Sequence, residues 1–401
     1  MIRFEYKKLT VLLALLLVVY SQNITAQVIT GAEQLPKYLP MLKGKKVGMV
    51  VNQTSQINGV HLVDTLKKLK VNITSIFAPE HGFRGDHSAG AKVKSNIDVK
   101  TGLPVISLYG KQYKPTPEVM KTLDIVVFDI QDVGARFYTY ISTLHYVMEA
   151  CAEHKKTLIV LDRPNPNGFY VDGPVLDLKF KSFVGMHPVP VVHGLTVGEY
   201  AQMINGEQWL KDSIQCKLVV IKMKGYNHET RYKLPVKPSP NLPTPESIAL
   251  YPSLCFFEGT NYSLGRGTDK PFECVGKPGI THGDYYFTPK SIKGVADAPP
   301  HENKKCRGYL LTDYARYVFP LNSRLNLSWL MEMYQKDTAQ QNFFNSFFNK
   351  LAGNDELQQQ IKAGKTEAEI RASWQPALNV YMEIRRKYLL YSDFPRYLNR
   401  E

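Results

Sequence analysis

The sequence predicts an α/β protein: a Rossmann-like, doubly wound, mostly parallel sheet, with a second, smaller α+β domain at the C-terminal end. Three observations predict it. Short, uniformly apolar segments alternate with amphipathic helical ones between Lys46 and Met223. Acidic, basic and amide residues come straight after those apolar segments, and near Gly225 the alternation gives way to proline-rich and then glycine-rich sequence. Strands buried on both faces of a parallel sheet read as continuous apolar runs, and alternation with helices is the mark of βαβ units.

Taken in order, "KVGMVVN" is the first expected strand. "GVHLVDTLKKLK" carries Val60, Val63 and Leu66 at helical spacing, and "VNITSIFAP" is the second strand. "LPVISLYG" and "LDIVVFDIQD" are the third and fourth. "YISTLHYVMEACAEHKK" places Tyr140, Leu144, Val147, Met148 and Cys151 on one helical face, with Lys155 and Lys156 where the helix dipole favours positive charge. "TLIVLD" is the fifth strand. In "LTVGEYAQMING", Thr196 and Glu199 match a capping box and Gly206 ends the helix. "KLVVIKM" is the sixth strand. "KLPVKPSPNLPTPESIALYPS", with its six prolines, reads as an extended crossing segment. The expected organisation is residues 1–26 as a leader, 27–225 as the Rossmann-like domain and 226–401 as the C-terminal domain.

The first 26 residues have a different character. Arg3, Lys7 and Lys8 precede the apolar run "LTVLLALLLVVY", and "ITA" ends in a small residue, the pattern of a secretory signal peptide cleaved after Ala26. The run is shorter than the roughly 20 residues that span a bilayer, so no membrane anchor is expected after cleavage. The location expected is export, to the periplasm. The whole chain carries a formal charge of +14; without the leader, 47 basic face 35 acidic residues, a balance of +12. The basic residues are scattered and do not alternate with aromatics, which argues against nucleic acid and for an anionic polymer of the cell envelope. Five cysteines without a C-x-x-C pair indicate neither a zinc site nor a disulfide scaffold; buried free thiols are expected, with a single Cys255–Cys274 bridge as the other option.

In a doubly wound sheet, ligands bind at the carboxyl ends of the strands. Glu80 and His81 in "SIFAPEHGFRGD" follow a strand there, with Arg84, Asp86 and His87 close by in sequence. A partly desolvated carboxylate next to an imidazole suits a general acid, with His81 orienting it; the plainer role is a glutamate accepting turn N–H groups. In "FDIQDVGARFYTY", Asp132 and Arg136 flank the tight turn at Gly134, either as a site carboxylate and a substrate-carboxylate clamp or as a helix cap and its ion-pair partner, while Asp129 reads as structural. "LDRPNPNG" offers Asp162, Arg163 and Asn165, and "VVHGLT" offers His193 ahead of the capped helix. "FFEGTNYSLGRGTDKPF" brings Glu258, Asn261, Ser263, Arg266 and Asp269 onto a glycine-permissive loop suited to sugar and carboxylate recognition, or to an ordinary surface turn. No G-x-G-x-x-G, G-x-x-x-x-G-K-[ST], G-x-S-x-G or H-E-x-x-H is present, which removes the main support for dinucleotide, nucleotide, serine-esterase and zinc-peptidase chemistry.

"APEHGFRGD", "KTGLPVISLYG", "FDIQDVGARFYTYISTL", "VLDRPNPNG", "PVVHGLTVGE" and "EGTNYSLGRGTDKPF", in that order along the mature chain, resemble the NamZ-type exo-β-N-acetylmuramidases, glycoside hydrolase family 171, formerly a domain of unknown function. The resemblance implies release of N-acetylmuramic acid from the non-reducing end of peptidoglycan fragments in cell-wall recycling. It also implies a site between a Rossmann-like domain and a smaller one, and neither cofactor nor metal. It puts the "PEHG" glutamate on Glu80 as the acid. Asp132, then Glu258, then Asp172 are the candidates for the second carboxylate that glycosidases use, unless the substrate's acetamido group acts as nucleophile. Arg136 or Arg266 would hold the lactyl carboxylate of muramic acid. Two other classes share these residues: a non-catalytic cell-wall sugar-binding protein, and a metal-dependent phosphoesterase built on Asp129, His81 and His193.

Overall fold

A computed structural model of the protein describes residues 27–84 and 96–395. The expected leader and Gly85, Asp86 and His87 lie outside the described residues. Twelve strands are described: β1 (Val47–Val51), β2 (Gln56–Ile57), β3 (Val60–His61), β4 (Ile73–Ala78), β5 (Asn96–Ile97), β6 (Pro104–Ser107), β7 (Ile125–Asp129), β8 (Thr157–Leu161), β9 (Lys217–Ile221), β10 (Cys274–Lys277), β11 (Tyr285–Phe287) and β12 (Cys306–Leu310). The main sheet runs β5-β6-β4-β1-β7-β8-β9 and is parallel except for the short β5 at its edge. All six expected strands are in it. The chain leaves β1 towards β4 and β6, then crosses back to β7, so the strand order reverses between β1 and β7. That reversal opens a crevice at the carboxyl ends of the strands.

Each strand feeds alternate residues to opposite faces. Met49, Val51, Ile76, Ala78, Val127 and Ile159 pack with Tyr38 and Leu42 of the helix Leu35–Leu42 and with Leu62, Val63 and Leu66 of the helix Leu62–Lys68. On the other face, Val50, Phe77, Phe128 and Val160 pack with the helices Tyr140–Glu153 and Val197–Gly206. The same core continues without a break into Phe256, Phe272, Leu330, Trp374 and Tyr381 of the C-terminal region.

That region holds the antiparallel sheet β10-β12-β11 and a set of helices, the longest being Glu367–Arg386. Two local expectations differ. The proline-rich crossing segment turns helical at Pro245–Leu254, because Pro245 sits at the first helical position and Thr244 caps the N–H of Ser247. Residues 59–61, expected to begin a helix, instead belong to a two-stranded hairpin over residues 56–61 turning at Asn58 and Gly59, both with positive φ. All five cysteines are buried free thiols, so the Cys255–Cys274 bridge is not formed.

Candidate active site

The strand β4 ends at Ala78, and Pro79–Gly82 turn the chain, with Gly82 N–H bonded to the Pro79 carbonyl at 3.0 Å. His81 takes φ +69°, a left-handed conformation rare outside glycine, and is 5% exposed. This turn delivers Glu80 and His81 to the wall of a cleft of about 650 Å³. The Thr139 hydroxyl, at the mouth of the helix Tyr140–Glu153, donates to Glu80 Oε2 at 2.6 Å. Burial, followed by the influence of Glu80 and then by smaller ones from Tyr113 and Glu258, pushes the Tyr109 phenol above its ordinary value. Both carboxylates therefore act on one tyrosine in the cleft wall.

The facing wall comes from the C-terminal region. Glu258 Oε1 accepts from Arg266 Nε at 2.9 Å and from Arg266 Nη2 at 2.5 Å, and both side chains line the cleft. Burial opposes the charge on Arg266, but Glu258 outweighs it and holds the guanidinium above its usual range. Two of the five N–H groups of Arg266 are used in this pair.

The remaining expected residues lie away from the cleft walls. Arg136 is wholly buried and donates to the carbonyls of Pro174, Val189, Leu351 and Ala352, each at 2.8 Å, so the clamp expected there is corrected: this guanidinium staples segments of the chain together. Arg163 pairs with Asp129 (Nη2 to Oδ2, 2.8 Å), both buried. Asp162 is buried under four donors, from Thr196 Oγ1, Gly198 N, Arg163 N and Tyr391 Oη; burial, the strongest influence, pushes it up to about 6. Asn165 donates to the Leu195 carbonyl and accepts from Asn167 N. It also sits where a Cβ on Gly134 (φ +78°) would lie 2.3 Å from its Oδ1, which is why that turn needs glycine.

Asp132, ranked ahead of Glu258, is buried: it accepts from Gly134 N at 2.6 Å and faces His193 Nε2 at 3.6 Å. His193 is likewise buried, its Nδ1 accepting from Leu195 N. Ser263 is buried and accepts from Gly265 N, and Asn261 binds Phe343 and His301 through its backbone. Asp172 is held by Arg371 and by Leu325 N, off the cleft. The cleft thus brings together Glu80, His81, Glu258 and Arg266 and leaves the other eight predicted residues in supporting positions. Among the described residues there is no group of three His, Cys, Asp or Glu side chains placed to hold a metal ion, so Asp129, His81 and His193 do not make the centre a phosphoesterase would need.

The sequence reading missed the aromatic lining: Tyr109, Tyr138, Tyr140, Tyr251 and Tyr262, with Thr139 among them. For Tyr138 and Tyr140 the signal was the density of tyrosine in "ARFYTY", which composition alone assigns equally well to core, while Tyr109, Tyr251 and Tyr262 stand singly in their stretches and gave none.

A family model described as exo-β-N-acetylmuramidase NamZ, N-terminal, matches residues 47–246, and one described as its C-terminal part matches residues 249–391. The chain is 40% identical over 404 residues to the peptidoglycan β-N-acetylmuramidase NamZ of Bacillus subtilis (strain 168), covering 92% of this chain and 94% of that relative. Two solved structures of DUF1343 family proteins from Bacteroides fragilis NCTC 9343 are similar. One has a TM-score of 0.86 at 46% identity, covering 92% of this chain and 100% of the other; the second has 0.76 at 31%, covering 91% and 99%. The chain belongs to the NamZ family of exo-β-N-acetylmuramidases.

Proposed function

We propose that this protein is an exo-acting glycosidase that releases N-acetylmuramic acid from the non-reducing end of peptidoglycan fragments, with Glu80 as general acid. The observation that carries the reading is Glu80 at the end of β4, lining a cleft whose facing wall holds the Glu258–Arg266 pair, in a chain matched along its length by the family. Glu80 gives its proton to the glycosidic oxygen, and Thr139 fixes the carboxyl group by its hydroxyl. Glu258 is the second carboxylate, in place of Asp132. Arg266 neutralises Glu258 and directs its other N–H groups to the lactyl carboxylate. The basic balance suits an anionic wall polymer. Residues 27–225 supply the Glu80 wall and residues 226–401 close the cleft. The leader sends the enzyme to the periplasm, where it serves cell-wall recycling.

The mature protein and Glu80→Gln are incubated with a chromogenic β-N-acetylmuramide and the matching β-N-acetylglucosaminide. Hydrolysis of the muramide alone, reduced by about 10²–10⁴-fold in Glu80→Gln with an unchanged urea midpoint, is the expected result. Equal rates in the two proteins would remove Glu80 from the mechanism, and no turnover by the wild type would leave a sugar-binding protein.

A further inference from the structure

An exo-acting enzyme encloses one terminal ring and leaves the rest of the glycan outside. The acid protonates the oxygen joining that ring to the remainder, so the remainder must depart over the wall beside the acid. Here that wall begins with Tyr109, which lines the cleft together with Glu80. It continues as a connected aromatic surface. The Tyr109 and Phe183 ring centroids are 5.8 Å apart, those of Phe183 and Tyr113 are 4.3 Å apart, and Tyr146 stacks against Tyr113 at 6.0 Å and Phe183 at 6.3 Å with interplanar angles of 22° and 18°. All four rings are only half-buried, unlike Phe137 and Phe257, which line the cleft and are buried. Val184, next to Phe183, lines the cleft together with Tyr109, so the surface is continuous with the enclosed space. Three separate segments contribute: the stretch after β6, the loop carrying Phe183, and the helix Tyr140–Glu153.

We propose that Tyr109, Tyr113 and Phe183, backed by Tyr146, form the subsite for the sugar released as leaving group, stacking on the C–H face of its pyranose ring. A pyranose presents an apolar face and a polar rim, which a half-exposed aromatic surface receives without burying hydroxyl groups. The enclosed ring is chosen by the charged groups of the cleft, Glu80, Glu258 and Arg266; the second ring is held by stacking, which tolerates variation in what its rim carries. This rests on the exo-muramidase reading above.

The test compares two substrates on the same enzyme preparations: the disaccharide N-acetylmuramyl-β-1,4-N-acetylglucosamine, and trifluoroethyl β-N-acetylmuramide, whose leaving group has no ring to stack. Released N-acetylmuramic acid is measured for both. In Tyr113→Ala and Phe183→Ala, the ratio of kcat/KM for the disaccharide to that for the trifluoroethyl glycoside should fall about tenfold. Tyr113→Phe and Phe183→Tyr, which keep a ring, should hold the wild-type ratio. Because the ratio is internal to each preparation, partial loss of folded protein cancels. A ratio unchanged in the alanine variants overturns the subsite, whereas a wild type inactive on both substrates overturns the muramidase reading itself.

Discussion

Arg136 carries a guanidinium into an interior where it is wholly inaccessible, and four carbonyl oxygens receive it. Two of them, Leu351 and Ala352, close the short helix Phe348–Ala352, whose last carbonyls would otherwise lack donors. Hydrogen bonds to a charged donor are the stronger kind, and a buried carbonyl left alone costs its desolvation in full. Arg136→Met should therefore destabilise the protein by at least about 3 kcal/mol, read as a lower urea midpoint at unchanged slope. A loss below about 1 kcal/mol would show that water replaces the guanidinium. The same residue shows where sequence stops informing. Its type and its place after β7 were legible, but its partners lie 38 to 216 residues away along the chain, and nothing local says where a long flexible side chain will reach. Glu80 is the opposite case. Its position follows from a strand, a proline and a tight turn within a few residues, so its delivery to the cleft was readable. Glu258 and Arg266 lie between these limits: eight residues apart, both were recognised as polar groups of one stretch, but their pairing and their placement opposite Glu80 depended on how the C-terminal region packs.

At the scale of elements, the helix Val197–Gly206 is fixed by a cap that does more than cap. Thr196 Oγ1 accepts from Glu199 N at 3.3 Å and donates to Asp162 Oδ2 at 2.8 Å, while Glu199 returns to Thr196 N. The capping box was visible in the sequence; the link to Asp162, at the end of β8, was not. Thr196→Val keeps the shape and removes both bonds, so a loss of about 2 kcal/mol is expected, the sum of a cap and a buried hydrogen bond. Thr196→Ser should stay within about 0.5 kcal/mol of wild type in the same denaturation series. Equal stability of all three proteins would mean that Asp162 and the helix terminus satisfy each other without the hydroxyl. The two elements misjudged from sequence carried competing signals. In "INGV", Asn-Gly is a strong hairpin turn, overridden in the reading by the helical spacing that follows. Before "ESIALYPSL", five prolines argued for an extended chain, although the last of them, Pro245, sits where a helix prefers it.

At the scale of the molecule, the strand order placed the crevice: with β1 central and the chain winding outward on both sides, only the carboxyl ends near β1 and β7 could open one. What closes the crevice is a region that shares its core with the sheet. One cluster runs from Phe128 and Val160 through Leu144 to Phe256, Leu330, Trp374 and Tyr381, and the helix Glu367–Arg386 is tied to the N-terminal half by Tyr381 on the His193 carbonyl, Arg385 on the Gly194 carbonyl and Arg371 on Asp172. Two domains joined by a small polar interface would be expected to melt separately. A shared apolar core argues for joint melting, because neither half can expose that surface alone without losing the burial that holds it. Differential scanning calorimetry of the mature protein should show one transition with equal calorimetric and van't Hoff enthalpies. Trp374→Ala, expected to cost about 3–5 kcal/mol, should move that whole transition downward. Two resolved transitions, or a shift confined to part of the heat absorption, would mean that the C-terminal region unfolds from the sheet independently, and that the Glu258 wall can leave the Glu80 wall without the core coming apart.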